Sequence, residues 1–342
     1  MTYLVCYVWR STLGNHTGMA HMCDLLENQD PEAFRVLKYN QRAFYSKLLG
    51  RRISKRILRL LDWWEEKKIE CSLRHVMRIK QPEDKIYFTE YLHPSLNQLA
   101  LAQMVKRIDS CTPVYGMAHL TPTMLDELNT TKESIREWNQ YVDYFVTLGG
   151  NLTDYLVKKG VPADKIITTR HYVDRAYYQV AEPKDQPFRV IVMGSMQRNY
   201  RLIEQIVAAC PQIPFVVCAG RDNLSQFAKY KNVTLLGYLS EDDLRNEMAQ
   251  STVSLSVMED TVGSNVIVTS MAMGLCQVVS DVGAIRDYCS EDNAQFCRTT
   301  EEYIEALNYL YSHPKELLEM RMNAVEASQQ YSLGRFINDV WR

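Results

Sequence analysis

The chain has 342 residues, of which 46% are hydrophobic and 23% charged, and its formal net charge is −2. At roughly 100–200 residues per domain, this length predicts two globular domains without long disordered tracts. The small net charge excludes attraction of the whole molecule to polyanions. The nine cysteines form no C-x-x-C pair, which argues against a disulfide framework or a zinc knuckle. The start, MTYLVCYVWR, has neither a basic leader nor a run long enough to span a bilayer, so we expect a cytoplasmic protein.

Short apolar, β-branched runs alternate along the chain with longer amphipathic segments. The predicted strands are 3–9, 86–92, 113–118, 144–148 and 166–173 in the first half, and 188–194, 214–219, 233–239, 253–257 and 277–280 in the second. Helical stretches lie between them, for example 200–209, 241–250 and 301–312. This alternation predicts an α/β protein with parallel sheets and crossover helices.

The strand–helix pattern occurs twice, and the polar segment DRAYYQVAEPKDQP separates the two occurrences. We therefore predict one domain over 1–174 and a second over 175–326. Ligands of open parallel sheets bind beyond the carboxyl ends of the strands. Two such sheets facing each other would line a cleft with the loops 13–18 and 194–200.

Several segments of the second half, in this order, resemble retaining glycosyltransferases of family four, the glycosyl transferases group 1. HYVDRAYYQV is similar to their interdomain segment, and RVIVMGSMQRNYRLIEQI resembles their first donor-domain strand with its basic phosphate-contacting loop. KNVTLLGYLSEDDLRNEMAQ and DTVGSNVIVTSMAMGLCQVVSDVGAIRDY resemble the stretches that follow, including the donor-binding helix. The resemblance spans roughly 166–290. It implies a GT-B fold, in which two Rossmann-like domains face each other across a cleft and a last helix, at about 327–342, crosses back to the first domain.

The resembling stretch departs from the family's pattern at several positions, among them Tyr172 in place of the interdomain glycine. Counting back from the helix, Thr261 and Thr269 occupy the places of the family's paired glutamates, with Glu259 and Asp260 nearby. The family's arginine and lysine after the first strand correspond to Ser195 and Tyr200. By resemblance, we expect the nucleotide and sugar to bind near four residues: Gly194, Glu259, Asp260 and Thr269.

Donor-phosphate binding is predicted from Gly263, Ser264 and Asn265. If a helix begins there, its free amides and dipole would face the leaving diphosphate, with Ser264 or Asn265 as the cap. Because the diphosphate carries two negative charges, a cationic side chain is also needed to bind it. Arg198 is the first candidate and Arg201 the second. The alternatives are that the β-branched run 266–269 forms a buried strand and that Arg198 is a solvated loop cation. On the opposite wall, Gly18 would let the backbone approach the donor phosphate.

Two histidines of the first half are candidates for catalysis. His16 lies in the loop after the first strand and His119 ends a strand-like run, so either could orient a sugar or polarise a hydroxyl. The alternative for both is a structural histidine, and Glu90 is a further carboxylate candidate. No Asp-x-Asp pair occurs in the sequence. We therefore expect no required metal and no cofactor, with the nucleotide-diphosphate sugar acting as donor substrate.

The segment SKLLGRRISKRILRLLDWW combines apolar residues at helical spacing with many cations. A basic amphipathic helix that ends in tryptophans is typical of binding to an anionic membrane surface. The predicted membrane or acceptor surface comprises Arg51, Arg52, Lys55, Arg56 and Arg59. The alternative is a domain helix whose apolar side is core and whose arginines are solvated.

The resemblance implies a hexosyltransferase that moves a sugar, with retention, to a glycan or lipid-linked acceptor in envelope polysaccharide biosynthesis. We expect a cytoplasmic enzyme, peripheral on the inner face of the membrane. Three alternatives stay open: a catalytically silent binding or scaffold subunit, a sugar-nucleotide epimerase on the same fold, and a transferase that acts on DNA. The acidic net charge argues against the last of these.

Overall fold

The computed structural model describes residues 1–9, 15–40, 55–128, 130–180, 182–218, 220 and 222–341, and of residues 55 and 56 only the backbone. The chain divides into two compact units, Met1–Thr169 and Arg170–Arg342. Each unit is an α/β structure with its own parallel sheet. Within the described ranges, no helix combines the length and apolarity that crossing a membrane requires.

The first unit carries a six-stranded sheet in the order β2-β1-β3-β4-β5-β6, and every pairing is parallel. Because crossover helices cover a parallel sheet on both faces, β1, β3 and β4 are buried almost throughout. The elements in chain order are β1 (Thr2–Val8), α1 (Met19–Gln29), β2 (Phe34–Asn40), α2 (Lys55–Ile79), β3 (Lys85–Tyr91), α3 (Gln98–Ile108), β4 (Val114–Ala118), α4 (Pro122–Glu127), α5 (Lys132–Asn139), β5 (Tyr144–Thr147), α6 (Gly150–Lys158) and β6 (Ile166–Thr168).

The second unit has the same construction, with the strand order β12-β11-β10-β7-β8-β9 and parallel pairing throughout. Its elements are β7 (Val190–Val192), α7 (Tyr200–Ala209), β8 (Phe215–Cys218), β9 (Val233–Leu236), α8 (Glu241–Ala249), β10 (Val253–Ser256), α9 (Asn265–Ala272), β11 (Cys276–Ser280), β12 (Ala294–Cys297), α10 (Thr300–Ser312), α11 (Pro314–Ser328) and α12 (Leu333–Val340). Helix α12, which lies in the segment predicted to cross back, follows α11 in the second unit.

Each sheet has one point where the strand order reverses. In the first sheet this point lies between β1 and β3, and in the second it lies between β7 and β10. The loops that leave two such strands run in opposite directions, which opens a crevice at their carboxyl ends where ligands of doubly wound sheets bind. We call these two places the first and the second switch point.

Side-chain caps define where several helices of the second unit begin. The Asn199 side chain accepts a hydrogen bond from the Leu202 amide and starts α7, and Ser240 starts α8 in the same way. Thr299 and Glu302 form a reciprocal capping box at α10. These caps satisfy amides that have no partner within the helix, so the chain leaves each strand at a fixed residue and the loops that follow are held in place.

All ten predicted strands are present, most with ends shifted by one or two residues. The predicted strand 166–173 is shorter and pairs only over 166–168, because the Val173 amide bonds to the Tyr331 carbonyl instead of a strand. Two strands, β2 and β12, were not predicted, and both lie at a sheet edge. The alternative of a buried strand over 266–269 is wrong, since these residues lie in helix α9.

Candidate functional site

The loop 194–199, which follows β7, folds back onto the end of β10 at the second switch point. Arg198 forms an antiparallel bridge with Met258, the Asn199 amide donates to the Val257 carbonyl over 3.1 Å, and the Glu259 amide donates to the Gln197 carbonyl over 3.0 Å. The turn uses positive φ angles at Gly194 (83°) and Gln197 (54°). The backbone that carries Arg198 is therefore fixed across the two strands that flank the switch point.

The Arg198 guanidinium is the most unusual charged group of this site. Its Nε and Nη1 atoms are shielded from solvent and have no hydrogen-bond partner among the described residues. Burial lowers the pKa of Arg198 to about 10, although the Tyr200 and Tyr303 hydroxyls act in the opposite direction. The side chain stays charged at neutral pH, so the fold holds a cation with unused donors at a ligand-binding position.

Gly194 lets the guanidinium lie against the backbone and next to helix α9. A Cβ atom at Gly194 would approach Arg198 Nη2 and Val266 Cγ2 to 3.1 Å each. The Tyr200 hydroxyl closes the turn by donating to the Gly194 carbonyl over 2.9 Å. The residue that stands where the family has a lysine therefore supports the loop that holds Arg198.

Near the arginine, Ser280 at the end of β11 joins the end of β10 to helix α10. Its Oγ lies 2.6 Å from the Tyr303 hydroxyl and accepts the Met258 amide over 2.6 Å. The sequence did not single out Tyr303 or Ser280 for this position. The only local signal for Ser280 was the ending SD of the run QVVSD, because these polar residues mark where a buried strand stops.

Helix α9 begins beside the arginine, after a glycine whose conformation other residues rarely adopt. Gly263 has φ +113°, and a Cβ there would lie 2.2 Å from the Tyr288 hydroxyl oxygen. Ser264 occupies the N-cap position as predicted, but its side chain makes no capping hydrogen bond. Asn265 is the first helical residue, and its Oδ1 is buried without a partner among the described residues. The first turn of α9 therefore has no side-chain cap and retains its capacity to bind an anion.

Tyr288, which the sequence did not indicate, fixes the position of this turn. It is 3% exposed, and its hydroxyl oxygen accepts the His171 amide over 2.9 Å. Arg170 lies over its ring at 5.7 Å and donates to the Asp287 carbonyl. Burial keeps the pKa of Tyr288 far above its ordinary value, so the hydroxyl remains neutral.

The segment before α9 is a hydrogen-bonded turn built on short polar side chains. Asp260 is buried and its Oδ1 accepts the Thr261 amide over 2.8 Å, while the Thr261 hydroxyl accepts the Gly263 amide over 3.1 Å. Thr269 lies inside α9, where its hydroxyl donates to the Asn265 carbonyl over 2.6 Å. Both threonines that replace the family's glutamates thus bond to the backbone of the loop or the helix.

The other residues predicted for the donor lie around this turn with different exposure. Glu259 is exposed at the end of β10, and Arg201 is exposed in the first turn of α7. The structure therefore brings Gly194, Arg198 and the start of α9 together, with Asp260 held in the adjoining turn. Glu259, which follows β10, and Arg201, in the first turn of α7, are both exposed to solvent beside this turn.

In the first unit, His119 follows β4 and pairs with Glu90 of β3, with 3.1 Å between His119 Nδ1 and Glu90 Oε2. His16 packs against His21, with 4.4 Å between ring centroids. Gly18 is the N-cap residue of α1 and has φ −76°, a conformation open to any residue. Gly18 therefore marks a helix start, and Gly14 of the same loop lies outside the described residues.

Helix α2 contains the described part of the basic amphipathic segment. Arg51 and Arg52 lie outside the described residues, Lys55 and Arg56 belong to the helix with their side chains undescribed, and Arg59 is exposed. The apolar residues Ile57, Leu60, Trp63 and Trp64 are 48%, 59%, 56% and 51% exposed. Contrary to the alternative of a core-packed helix, this stretch of α2 presents its apolar side chains to solvent.

Comparison with known proteins places this geometry in a family context. Residues 187–313 match the family model for glycosyl transferases group 1. The fold is similar to that of HepE from Anabaena in complex with UDP, at 14% identity and a TM-score of 0.70, covering 99% of this chain and 98% of that one. It is also similar to sucrose-phosphate synthase from Thermosynechococcus elongatus (13% identity, TM-score 0.73, 100% and 98% covered) and to the lipopolysaccharide outer core galactosyltransferase WaaB (11%, 0.63, 100% and 99%). No curated protein sequence matches significantly.

The family match confirms the predicted resemblance to glycosyl transferases group 1, and the structural matches confirm the GT-B fold with two Rossmann-like α/β units. The family match also confirms the enzyme class, glycosyltransferase. The matched residues include β7, the Arg198 loop, α9 and the Thr261 turn. The part of the second unit that carries the buried Arg198 guanidinium is thus the part that matches glycosyl transferases group 1.

Proposed function

We propose, from the GT-B fold and the family match, that this protein transfers a sugar from a nucleotide-diphosphate sugar to a glycan or lipid-linked acceptor, with retention, in envelope polysaccharide biosynthesis. The observation that carries the proposal is the Arg198 guanidinium, whose Nε and Nη1 are buried and find no partner among the residues that the structure describes. A buried charge without a partner is costly in the empty protein. A diphosphate at the second switch point would supply the missing acceptors.

The same arrangement provides the chemistry that such a transfer needs. As the bond to the sugar breaks, positive charge develops on the sugar ring and negative charge on the departing diphosphate. Donors that already point at that negative charge lower the barrier, because they need no rearrangement during the reaction. Arg198 and the first amides of α9 are such donors, and they lie close together, because a Cβ atom at Gly194 would meet both the arginine and Val266 of that helix.

The similar structures suggest which donor to examine first. HepE was solved with UDP, with UDP and glucose, and with UDP-glucose. We therefore propose a UDP-sugar as the donor, with Gly194, Asp260 and the start of α9 around its diphosphate and sugar. In the first unit, His16, Gly18 and His119 are proposed to contact the donor or the acceptor.

Nucleotide binding and turnover test this function directly. Thermal unfolding is measured with UDP, GDP, ADP and CDP, and the cognate diphosphate at 100 times its Kd should add about 2.7 kcal/mol of stability. UDP-glucose and UDP-galactose are then incubated with the protein and nucleotide release is measured. If none of the four diphosphates stabilises the fold, the proposed function is wrong.

A silent subunit on the same fold is the second candidate, and the Thr261 and Thr269 contacts favour it. Neither side chain is ionisable, and both bond to local backbone. Such a subunit would bind a nucleotide through Arg198 but release none from a UDP-sugar. Nucleotide release above that of an Arg198→Met variant therefore separates an enzyme from a binding subunit.

We also propose that the N-terminal part of α2 binds an anionic membrane surface. Ile57, Leu60 and Trp64 follow an i, i+3, i+7 spacing on one side of the helix, and all three are exposed. Exposed apolar side chains next to cations suit the headgroup region, where each basic residue gains about 1 kcal/mol from anionic lipid. A lipid-linked acceptor would be reached at that surface.

Vesicle sedimentation tests the membrane proposal. We expect the protein to bind vesicles of phosphatidylcholine with 30–40% phosphatidylglycerol, roughly the anionic fraction that attracts basic helices, and to be released by salt as charges are screened. A Trp63→Ser/Trp64→Ser variant should lose most of this binding. Tyr238→Ser is the matched control, because Tyr238 is an exposed aromatic residue of the second unit. Equal binding to neutral vesicles, or none to anionic ones, would contradict the proposal.

A further inference from the structure

Titratable side chains also gather at the first switch point, where β1 and β3 lie side by side. Glu90 is near the end of β3 and 7% exposed, His93 follows that strand, and His119 follows β4. The ring of Trp9, just after β1, lies 5.2 Å from the ring of His93. Such a position at the reversal of a parallel sheet is where a ligand is expected.

The backbone here is shaped in a way that a regular strand is not. Between Phe88 and Tyr91 the pairing of β3 with β4 shifts register, so β3 advances three residues while β4 advances two. Bulges of this kind re-aim side chains and are common next to active sites. Directly after the bulge, Leu92 is buried with φ +67°, a strained conformation for a non-glycine residue that functional sites often contain.

Contacts on both sides hold the bulge in place. The Tyr91 ring packs on Gly116, where a Cβ atom would lie 2.6 Å from the ring, and the Tyr91 hydroxyl donates to the Trp138 carbonyl over 2.8 Å. The Glu90 amide donates to the Gln98 side-chain oxygen over 2.9 Å. Since these contacts fix the backbone of Glu90, its carboxylate is held in one place.

The bulge brings the Glu90 carboxylate to His119. Glu90 Oε2 lies 3.1 Å from His119 Nδ1, and a carboxylate can only accept, so the imidazole donates from Nδ1. In the neutral ring, this leaves the lone pair on Nε2. The nearby His93 adds no competing charge, because burial lowers its pKa; the smaller influence of Glu90 raises this pKa and that of His119 lowers it further.

We propose that Glu90 is a positioning residue that fixes the Nδ1–H tautomer of His119, so that Nε2 accepts a hydrogen bond from a sugar hydroxyl during transfer. The contact with a sugar rests on the proposed function. The tautomer depends only on the hydrogen bond between Glu90 and His119. A hydroxyl can donate or accept, so either tautomer could bond to one, but only the Nδ1–H form leaves Nε2 as an acceptor for the hydroxyl's proton. Glu90 therefore decides the direction of this hydrogen bond.

The tautomer is measured first, in the wild-type protein. Two-dimensional 15N NMR at pH 8 on histidine-labelled protein should show one neutral ring of the Nδ1–H form that is missing from a His119→Asn variant. Any other protonation pattern for His119 overturns the proposal. This measurement needs no substrate and no Glu90 variant.

Substitution of the carboxylate then tests the consequence. In Glu90→Gln the amide either donates or accepts, so the tautomer is no longer fixed, and sugar transfer should fall about 10- to 100-fold, the range one misdirected hydrogen bond costs. Glu90→Asp keeps an acceptor-only group and should recover part of the activity. Glu83→Gln, an exposed glutamate before β3, is the control and should leave transfer unchanged.

Two assays show which sugar carries the hydroxyl. If Glu90→Gln slows donor hydrolysis without acceptor as much as transfer, the hydroxyl belongs to the donor sugar; if only transfer slows, it belongs to the acceptor. Unchanged transfer in Glu90→Gln, or a loss of transfer with the Nδ1–H form retained, overturns the proposal.

UDP binding in each variant distinguishes a failure of the proposed function from a failure of the Glu90–His119 proposal. A wild-type protein that binds no nucleotide refutes the proposed function, and the NMR result still decides the Glu90–His119 pair.

Discussion

Replacement of Arg198 by methionine should stabilise the empty protein and weaken nucleotide binding at the same time. Methionine fills a similar volume without a charge, so the unpartnered Nε and Nη1 donors disappear. The lowering of the Arg198 pKa to about 10 corresponds to a cost of about 3 kcal/mol at 1.36 kcal/mol per pH unit. Relaxation and partial solvation reduce this figure, and we expect Arg198→Met to gain about 1–2 kcal/mol of stability.

The sign of the stability change in Arg198→Met follows from the direction in which the Arg198 pKa is shifted. Burial disfavours the charged form of Arg198 in the folded state, so folding is opposed at every pH below about 10. The gain from Arg198→Met should therefore be constant between pH 6 and pH 9. For a unit of this size, each kcal/mol raises the Tm by about 2–4 °C.

The assay pairs thermal unfolding with calorimetric titration of UDP. Arg198→Met should raise the Tm without ligand and lower UDP affinity about 10- to 100-fold, because a charge-assisted hydrogen bond contributes about 1.5–3 kcal/mol. Arg189→Met is the matched control. Arg189 donates to Glu247 over 2.5 Å at the opposite end of β7, so its loss should lower the Tm and leave UDP affinity unchanged.

The opposite outcome would refute the reasoning. If Arg198→Met lowers the Tm of the empty protein, its guanidinium has partners that stabilise the fold. If UDP affinity also stays the same, the second switch point does not bind the diphosphate through this residue. Either result removes the observation on which the proposed function depends.

Two further changes in the second unit have defined outcomes. Gly263→Ala combines a positive φ with a Cβ 2.2 Å from the buried Tyr288 hydroxyl, so it should lower the free energy of unfolding by at least about 2 kcal/mol and abolish UDP binding. The control is Gly237→Ala, whose Cβ would lie in open space and should change neither property. Unchanged UDP binding in Gly263→Ala would contradict the proposed site. Asp281→Asn removes a carboxylate whose pKa lies below its ordinary value because of hydrogen bonds from Arg286 and then Arg298. Its contribution is present above about pH 4 and is lost as pH falls through the lowered pKa, so the variant should be about 1 kcal/mol less stable at pH 7 and equal to wild type near pH 2. A difference that persists in acid would show that the ion pairs are not its source.

The central strands and the helix starts were predictable from the sequence because they depend on local composition. Runs such as VIV of β7 and FVVC of β8 are apolar and β-branched, as strands covered on both faces must be. The two missed strands, β2 (FRVLKYN) and β12 (AQFC), lie at sheet edges. An edge strand pairs on one side only and tolerates polar residues, so its sequence resembles that of a loop.

Helix α9 shows where local preference and tertiary structure disagree. Its run NVIVTS is rich in β-branched residues, which favour strands, yet it is helical from Asn265 to Ala272. The residues Ile267, Val268 and Met271 are fully buried in the core of the unit. Burial of these side chains outweighs the small intrinsic preference for strand, and the family resemblance, rather than propensity, indicated the helix.

The sequence by itself determined that parallel α/β sheets would form and that the loop 194–200 after β7 would lie at the carboxyl ends of the strands, where ligands bind. Tertiary structure alone decided that Arg198 Nε and Nη1 are buried without a partner in the described part of the chain, that Tyr288 confines Gly263, and that a bulge places Glu90 against His119. Strand composition acts within a few residues, whereas these three features depend on contacts between segments far apart in the chain. The pairing of such segments follows from the packing of whole sheets, and no local pattern of residues encodes it.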